Sequence, residues 1–181
     1  TLRNLRGSTL LLIGLGHIGR ATAALADAFG MRVLAVNRTV RDLHDLQGSP
    51  DVRGLECLDE FLPQADAIVA CIALTPETRR ILDARRLGLC RAGAVLVNVG
   101  RGGLVDTDAL ADALQSGRIG AAGLDVTDPE PLPPGHRLWR GPNLIVTAHY
   151  AGAGPMGAGE IAAQAGASLE KWMAGRGGVA G

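Results

Sequence analysis

Two groups of residues in this chain have the types and spacing to do chemistry. The first is Gly14-Leu-Gly16-His-Ile-Gly19, which directly follows the apolar run Ser8 to Ile13 and opens a segment of helical periodicity. In that context a G-x-G-x-x-G pattern has a mechanical reading: the first glycine permits a tight turn and the second lets backbone approach a pyrophosphate. The third lets helix and strand pack closely. The helix that starts there offers unpaired N–H groups and a positive dipole end to an anion. The alternative is a glycine-rich turn that holds no ligand.

The second group is Arg101, Glu130 and His149, each of which follows an apolar run: Ala94 to Val99, Gly120 to Val126, and Leu144 to Thr147. If those runs are parallel strands, a guanidinium, a carboxylate and an imidazole reach one rim, the edge where open α/β sheets bind ligands. An imidazole exchanges a proton with a hydroxyl or carbonyl oxygen, a carboxylate orients it, and a guanidinium holds a substrate carboxylate through two bonds. Taken singly, each is more often a solvated or structural side chain. Their joint placement in a chain with a dinucleotide turn favours function. His17 is read as lying near the pyrophosphate, His44 and His136 as solvated loop residues, and Asp106 with Asp108 as helix caps.

Elements that could position these residues alternate along the chain, as in a parallel sheet with helical crossovers. Strands are expected at Ser8–Ile13, Arg32–Val36, Leu55–Cys57, Ala67–Ala73, Ala94–Val99, Gly120–Val126 and Leu144–Thr147. Helices are expected from Ile18 to Phe29, closed by Gly30, at Leu58–Leu62, at Asp83–Cys90 and at Asp106–Ser116. Asp128-Pro-Glu-Pro-Leu-Pro-Pro-Gly135 is too rich in proline for regular structure. Pro155–Ala174 has Ile161, Ala165, Leu169 and Trp172 near one helical face, and 175–181 reads as a frayed end.

Composition excludes other classes. The 181 residues carry 18 Lys+Arg against 18 Asp+Glu, so no global field draws nucleic acid or an anionic membrane. The densest basic cluster, Arg79, Arg80, Arg85 and Arg86, reads as the wet side of one helix. No apolar run reaches the ~18 residues of a membrane span. The three cysteines, Cys57, Cys71 and Cys90, lack the spacing of a metal site and read as reduced core thiols of a cytoplasmic protein.

The cofactor can be read further. An acidic residue about 20 positions beyond the glycines ordinarily bonds the adenosine ribose hydroxyls. Here the second strand ends Val36-Asn37-Arg38-Thr39. A carboxylate there would repel a 2′-phosphate, whereas Asn37, Arg38 and Thr39 offer a cation and hydrogen-bond donors. NADP(H) is therefore expected over NAD(H).

Taken together, these residues resemble the D-isomer-specific 2-hydroxyacid dehydrogenases. The likeness rests on Leu5-Arg-Gly before the glycine turn, Leu74-Thr-Pro-Glu-Thr-Arg79, and Val97-Asn-Val-Gly-Arg-Gly-Gly-Leu-Val-Asp106. It continues through Gly123-Leu-Asp-Val126, Pro129-Glu-Pro131 and Val146-Thr-Ala-His149. The resemblance implies a single Rossmann-type doubly wound domain over residues 1–174, with about seven parallel strands. It makes Arg101 the binder of the substrate carboxylate, His149 the acid/base and Glu130 its partner. It implies cofactor contacts at Gly14, Gly16, His17, Ile18 and Gly19, then Asn37, Arg38 and Thr39, then Ile72, Ala73, Thr78, Val99, Gly100, Arg101 and Asp125. The implied reaction moves a hydride between NADP(H) and a 2-keto or (R)-2-hydroxy acid such as glyoxylate or hydroxypyruvate, in a homodimer without metal.

Ala73 and Ala148 stand where the family often has proline, and Tyr150 follows the histidine where a smaller residue is frequent. The family's N-terminal substrate domain is absent from the sequence, so the isolated chain is expected to bind cofactor and turn over weakly or not at all. A non-enzymatic NAD(P)-sensing or dimerisation module is the alternative. Retention of Arg101, Glu130 and His149 together argues against it. Other Rossmann reductases are disfavoured by the Pro129-Glu-Pro131 loop and His149.

Overall fold

Seven segments pair into one all-parallel sheet: β1 (Thr9–Ile13), β2 (Arg32–Asn37), β3 (Asp51–Gly54), β4 (Ala67–Ala70), β5 (Ala94–Asn98), β6 (Ile119–Leu124) and β7 (Leu144–Val146). A computed structural model describes residues 4–40 and 50–152 of the chain. The strand order β3-β2-β1-β4-β5-β6-β7 is that of a doubly wound Rossmann-type sheet. The chain divides into a unit of Thr1–Ala148, which contains the sheet, and a unit of His149–Gly181, of which residues 149–152 are described. The expected helix over 155–174, the tail 175–181 and His44 lie outside the described residues.

Why these segments are strands is plainest at β1, whose five residues are all buried. Leu11 and Ile13 face a core completed by Leu34, Val36, Ile68 and Leu96, with Leu58, Phe61, Leu62, Leu87, Leu110 and Leu114 packed over it. Leu10 and Leu12 face a smaller core with Val33, Ala35, Ala23 and Ala26. A strand covered on both sides needs a continuous apolar run, which is why its signal in the sequence is strong.

Among the described residues four α-helices lie between the strands: α1 (His17–Ala28), α2 (Leu58–Phe61), α3 (Ala84–Leu89) and α4 (Thr107–Gln115). Asp83 caps α3 by accepting from the Arg86 N–H at 2.8 Å, and Asp106 caps α4 through the Ala109 N–H at 3.1 Å. Gly30 and Gly117, at φ +72° and +73°, follow the ends of α1 and α4 in the left-handed conformation that glycine adopts at no steric cost.

Three expectations need correction. The third strand is Asp51–Gly54, and Leu55–Cys57 is a 3₁₀ turn. That edge strand is polar, held by Arg53 to Asp51 and Glu60 at 2.9 Å each and stacked over Phe61, so apolar periodicity does not mark it. Arg79, Arg80, Arg85 and Arg86 do not share one helix face. Arg79 and Arg80 lie in the turn before α3 and pair with Asp128 and Asp106 at 3.5 Å each, while Arg85 and Arg86 reach Asp59 at 2.7 Å each. His136 is not solvated: its Nδ1 accepts from the Leu138 N–H at 3.1 Å and starts a 3₁₀ turn, and its Nε2 lies 3.7 Å from Asp108. No helix among the described residues is long and apolar enough to cross a membrane.

Candidate functional site

β1 and β4 lie side by side at the centre of the sheet, and the chain leaves them in opposite directions, to β2 and to β5. Such a switch point opens a crevice at the carboxyl ends of the strands. Here it is a cleft of about 520 Å³ lined by Ile18, Cys71, Ile72, Ala73, Leu74, Val99, Gly100 and Arg101.

One wall is the turn from β1 into α1. Gly14 has φ +105°, and a Cβ there would sit 2.7 Å from the Ile72 backbone N and Cα. A Cβ at Gly19 would run into the Gly14 carbonyl oxygen, whereas Gly16 has nothing within 4 Å of the place a Cβ would take. The first and third glycines are thus demanded by packing. The second leaves backbone open to an incoming group. Gly16 also stands at the N-cap of α1, with no side-chain cap and no acidic residue in the first turn, so nothing opposes an anion there. A dinucleotide's pyrophosphate fits this turn.

The Cys71 backbone N–H donates to the Ile13 carbonyl at 2.9 Å, and its thiol donates to the Gly14 carbonyl at 3.2 Å. Burial pushes that thiol up to about 11, so it is a neutral donor and not a nucleophile near neutral pH. Beyond it Thr78 is 1 % exposed. Its hydroxyl donates to the Ala73 carbonyl and accepts from the Thr75 N–H, each at 2.8 Å, and so shapes the 73–78 turn from inside.

The other wall is the loop after β5. Asn98 is fully buried at the strand's last position. Its Nδ2 donates to the Arg101 carbonyl at 3.0 Å, and its Oδ1 accepts from the Gly100 N–H at 3.1 Å. Gly100 packs against Leu104 and the Ile72 carbonyl, with no room for a side chain. Arg101 emerges exposed, its Nη1 donating to the Gly100 carbonyl at 2.7 Å.

The loop carrying Glu130 is seated directly on this one. The Thr127–Asp128 peptide fills the space a Cβ at Gly102 would need. Thr107 Oγ1 donates to the Asp128 carbonyl at 2.8 Å and Thr127 Oγ1 to the Pro129 carbonyl at 2.8 Å. Glu130 is exposed, and the Asp128–Pro129 and Glu130–Pro131 peptide bonds around it are cis. Asp125, 7 % exposed, accepts from Thr147 Oγ1 at 2.6 Å, which joins the ends of β6 and β7.

Of the expected site residues, Ile18, Ile72, Ala73, Val99, Gly100 and Arg101 share the cleft. Asn37, Arg38 and Thr39 lie at the carboxyl end of β2, where Asn37 Nδ2 donates to the Thr39 carbonyl at 2.9 Å. Thr78 and Asp125 are buried supports behind these surfaces. His149 is the first residue of the second unit, exposed, at φ +60°. Sequence reasoning passed over Asn98, Thr107 and Thr127. A polar residue inside the apolar run Ala94 to Val99 was the available signal for Asn98, since a buried amide must find partners. Among the described residues no group of His, Cys, Asp and Glu could hold a metal.

Comparison with known proteins bears on this arrangement. Residues 1–151 match the family model described as "D-isomer specific 2-hydroxyacid dehydrogenase, NAD binding domain". A glycerate dehydrogenase of Methylorubrum extorquens is 39 % identical over 175 residues, covering 96 % of this chain and 52 % of its own. A glyoxylate reductase of Aeropyrum pernix is 40 % identical over 149 residues, 82 % of this chain and 44 % of its own. The crystal structure of the TT0316 protein from Thermus thermophilus superposes with a TM-score of 0.75 at 48 % identity, over 83 % of this chain and 46 % of that one. The chain therefore spans about half the length of the relatives it matches. With most of its length under the family model, the chain belongs to the D-isomer specific 2-hydroxyacid dehydrogenase family, as its NAD-binding domain.

Proposed function

We propose that this chain is the cofactor-binding portion of an NADP(H)-dependent oxidoreductase that interconverts a 2-keto acid and an (R)-2-hydroxy acid, with glyoxylate and hydroxypyruvate as the substrate class. The observation that supports the reading is that Ile18, in the first turn of the helix that follows the glycine turn, and Arg101 line the same cleft. Gly14, Gly16, His17, Ile18 and Gly19 would hold the pyrophosphate, Asn37, Arg38 and Thr39 the adenosine ribose and its 2′-phosphate. Ile72, Ala73, Val99 and Gly100 would line the path to the nicotinamide, with Thr78 and Asp125 supporting them. The chemistry that NADPH would supply there when bound is a hydride for the carbonyl carbon of the keto acid.

The remaining steps belong to the chain's own side chains. Arg101 holds the substrate carboxylate through paired charge-assisted bonds and draws charge onto the carbonyl oxygen. His149 gives that oxygen a proton as the hydride arrives, and in the oxidative direction takes it back. Glu130 would orient the ring, so that the imidazolium gives up this proton and is left as neutral imidazole. The three unbridged thiols, Cys57, Cys71 and Cys90, suit a reducing compartment such as the cytoplasm, and a homodimer is the assembly we assign.

Calorimetric titration of this chain with NADPH and NADH tests the cofactor half, with NADPH expected to bind more tightly. Tighter binding of NADH would remove the NADP assignment. For the chemistry, Arg101→Lys, Glu130→Gln and His149→Gln are compared in a longer protein that joins this chain to a substrate domain. NADPH oxidation by 2-keto acids should persist in the parent and fall by at least roughly a hundred-fold in His149→Gln. An undiminished His149→Gln variant would defeat the assignment.

A further inference from the structure

β2 ends at Asn37, which in parallel register lies directly beside Gly54, the last residue of β3. Residues in register on adjacent strands project from the same face of a sheet, with strands roughly 5 Å apart. At Gly54 the place a Cβ would take is filled by the two carboxylate oxygens of Glu56. Glu56 is exposed, and its side chain folds back over the strand from the 3₁₀ turn Leu55–Cys57. The face that presents the Asn37 side chain therefore also presents a carboxylate, one strand over.

We infer that Glu56 is a specificity-determining residue that sets the balance between NADP(H) and NAD(H). The inference rests on the reading above, that the carboxyl end of β2 receives the adenosine ribose. The acidic group missing from position 37 is supplied from the 3₁₀ turn that follows β3. Its negative charge opposes a 2′-phosphate while leaving a ribose hydroxyl an acceptor, so it works against the cation and amide of Arg38 and Asn37. The outcome is a site that admits both cofactors, with a preference for NADPH smaller than Asn37, Arg38 and Thr39 alone would give. Gly54 is part of the device, because only a residue without a side chain leaves the carboxylate its seat.

The test uses the chain itself, titrated with NADPH and with NADH. In Glu56→Gln the ratio of NADPH to NADH affinity should rise roughly five-fold at low salt, the scale of one carboxylate acting on a doubly charged phosphate across about 8 Å of water. The rise should shrink at high ionic strength. Gly54→Ala keeps the charge and evicts it from its seat; Gly54 has φ −69°, which alanine accepts, and the ratio should move the same way by less. If Glu56→Gln leaves the ratio unchanged, or weakens both cofactors alike, the inference is overturned. A wild-type preference for NADH combined with the expected rise would refute the NADP assignment and uphold the role of Glu56. Absence of binding by either nucleotide would overturn both.

Discussion

The two walls of the cleft are made by opposite means. On the β1 side the surface is shaped by missing side chains: Gly14 and Gly19 let the turn fold against Ile72 and itself, and Gly16 leaves backbone bare. On the β5 side it is shaped by polar side chains that hold backbone, of which Asn98 and Thr127 are buried. Asn98 ties the backbone at Gly100 and Arg101, and Thr107 and Thr127 tie the loop of Glu130. The first wall is thus vulnerable to an added atom and the second to a removed one. A pyrophosphate needs a concave strip of N–H groups, whereas a guanidinium must be aimed, and aiming requires fixed backbone on both sides of Arg101.

The sharpest way to break this contrast is Gly14→Ala. The methyl meets backbone at 2.7 Å on a residue at φ +105°, so neither a rotamer change nor a small shift relieves it. We expect a loss of about 3 kcal/mol or more in urea unfolding and no detectable NADPH binding. Retention of binding would show that the turn tolerates bulk.

On the other wall Asn98→Ala adds no bulk and removes the partners of the Gly100 N–H and the Arg101 carbonyl, for about 1–3 kcal/mol. Here cofactor affinity should fall less than stability, because the phosphate turn is untouched. Equal losses of both would mean that the walls are not separable.

The smallest effect lies in the thiols. Burial pushes Cys71 and Cys90 from 9.0 up to about 11. The folded chain therefore holds these protons more tightly than the unfolded chain does. The stability this provides is complete below pH 9 and is lost as pH rises toward 11. The thermal midpoint should drop across that window, and less steeply in Cys71→Ala and Cys90→Ala; an unchanged slope would show that the thiols do not contribute.

How much of this is legible in the sequence follows the same division. Continuous apolar runs, such as Thr9–Ile13, buried throughout, and Ala94–Val97, which alternates buried and more open positions, announce their strands, and the glycine pattern announces its turn because no other residue satisfies Gly14. The edge strand Asp51–Gly54 escapes such a reading because an arginine held by carboxylates stabilises it and no apolar alternation is required. Asn98 looks like one position in a strand, and its role depends on a backbone bend three residues long that no periodicity encodes. His136 reads as solvated because a histidine between polar neighbours gives no sign that its ring starts a turn.

The seat of the Thr127–Asp128 peptide on Gly102 has one more consequence. Two loops that follow different strands are geared to one another there without slack. A change in the length of the proline-rich segment is therefore transmitted to the neighbouring loop, and Arg101 registers it. Engineering that treats the two as independent modules will find that altering one retunes the other.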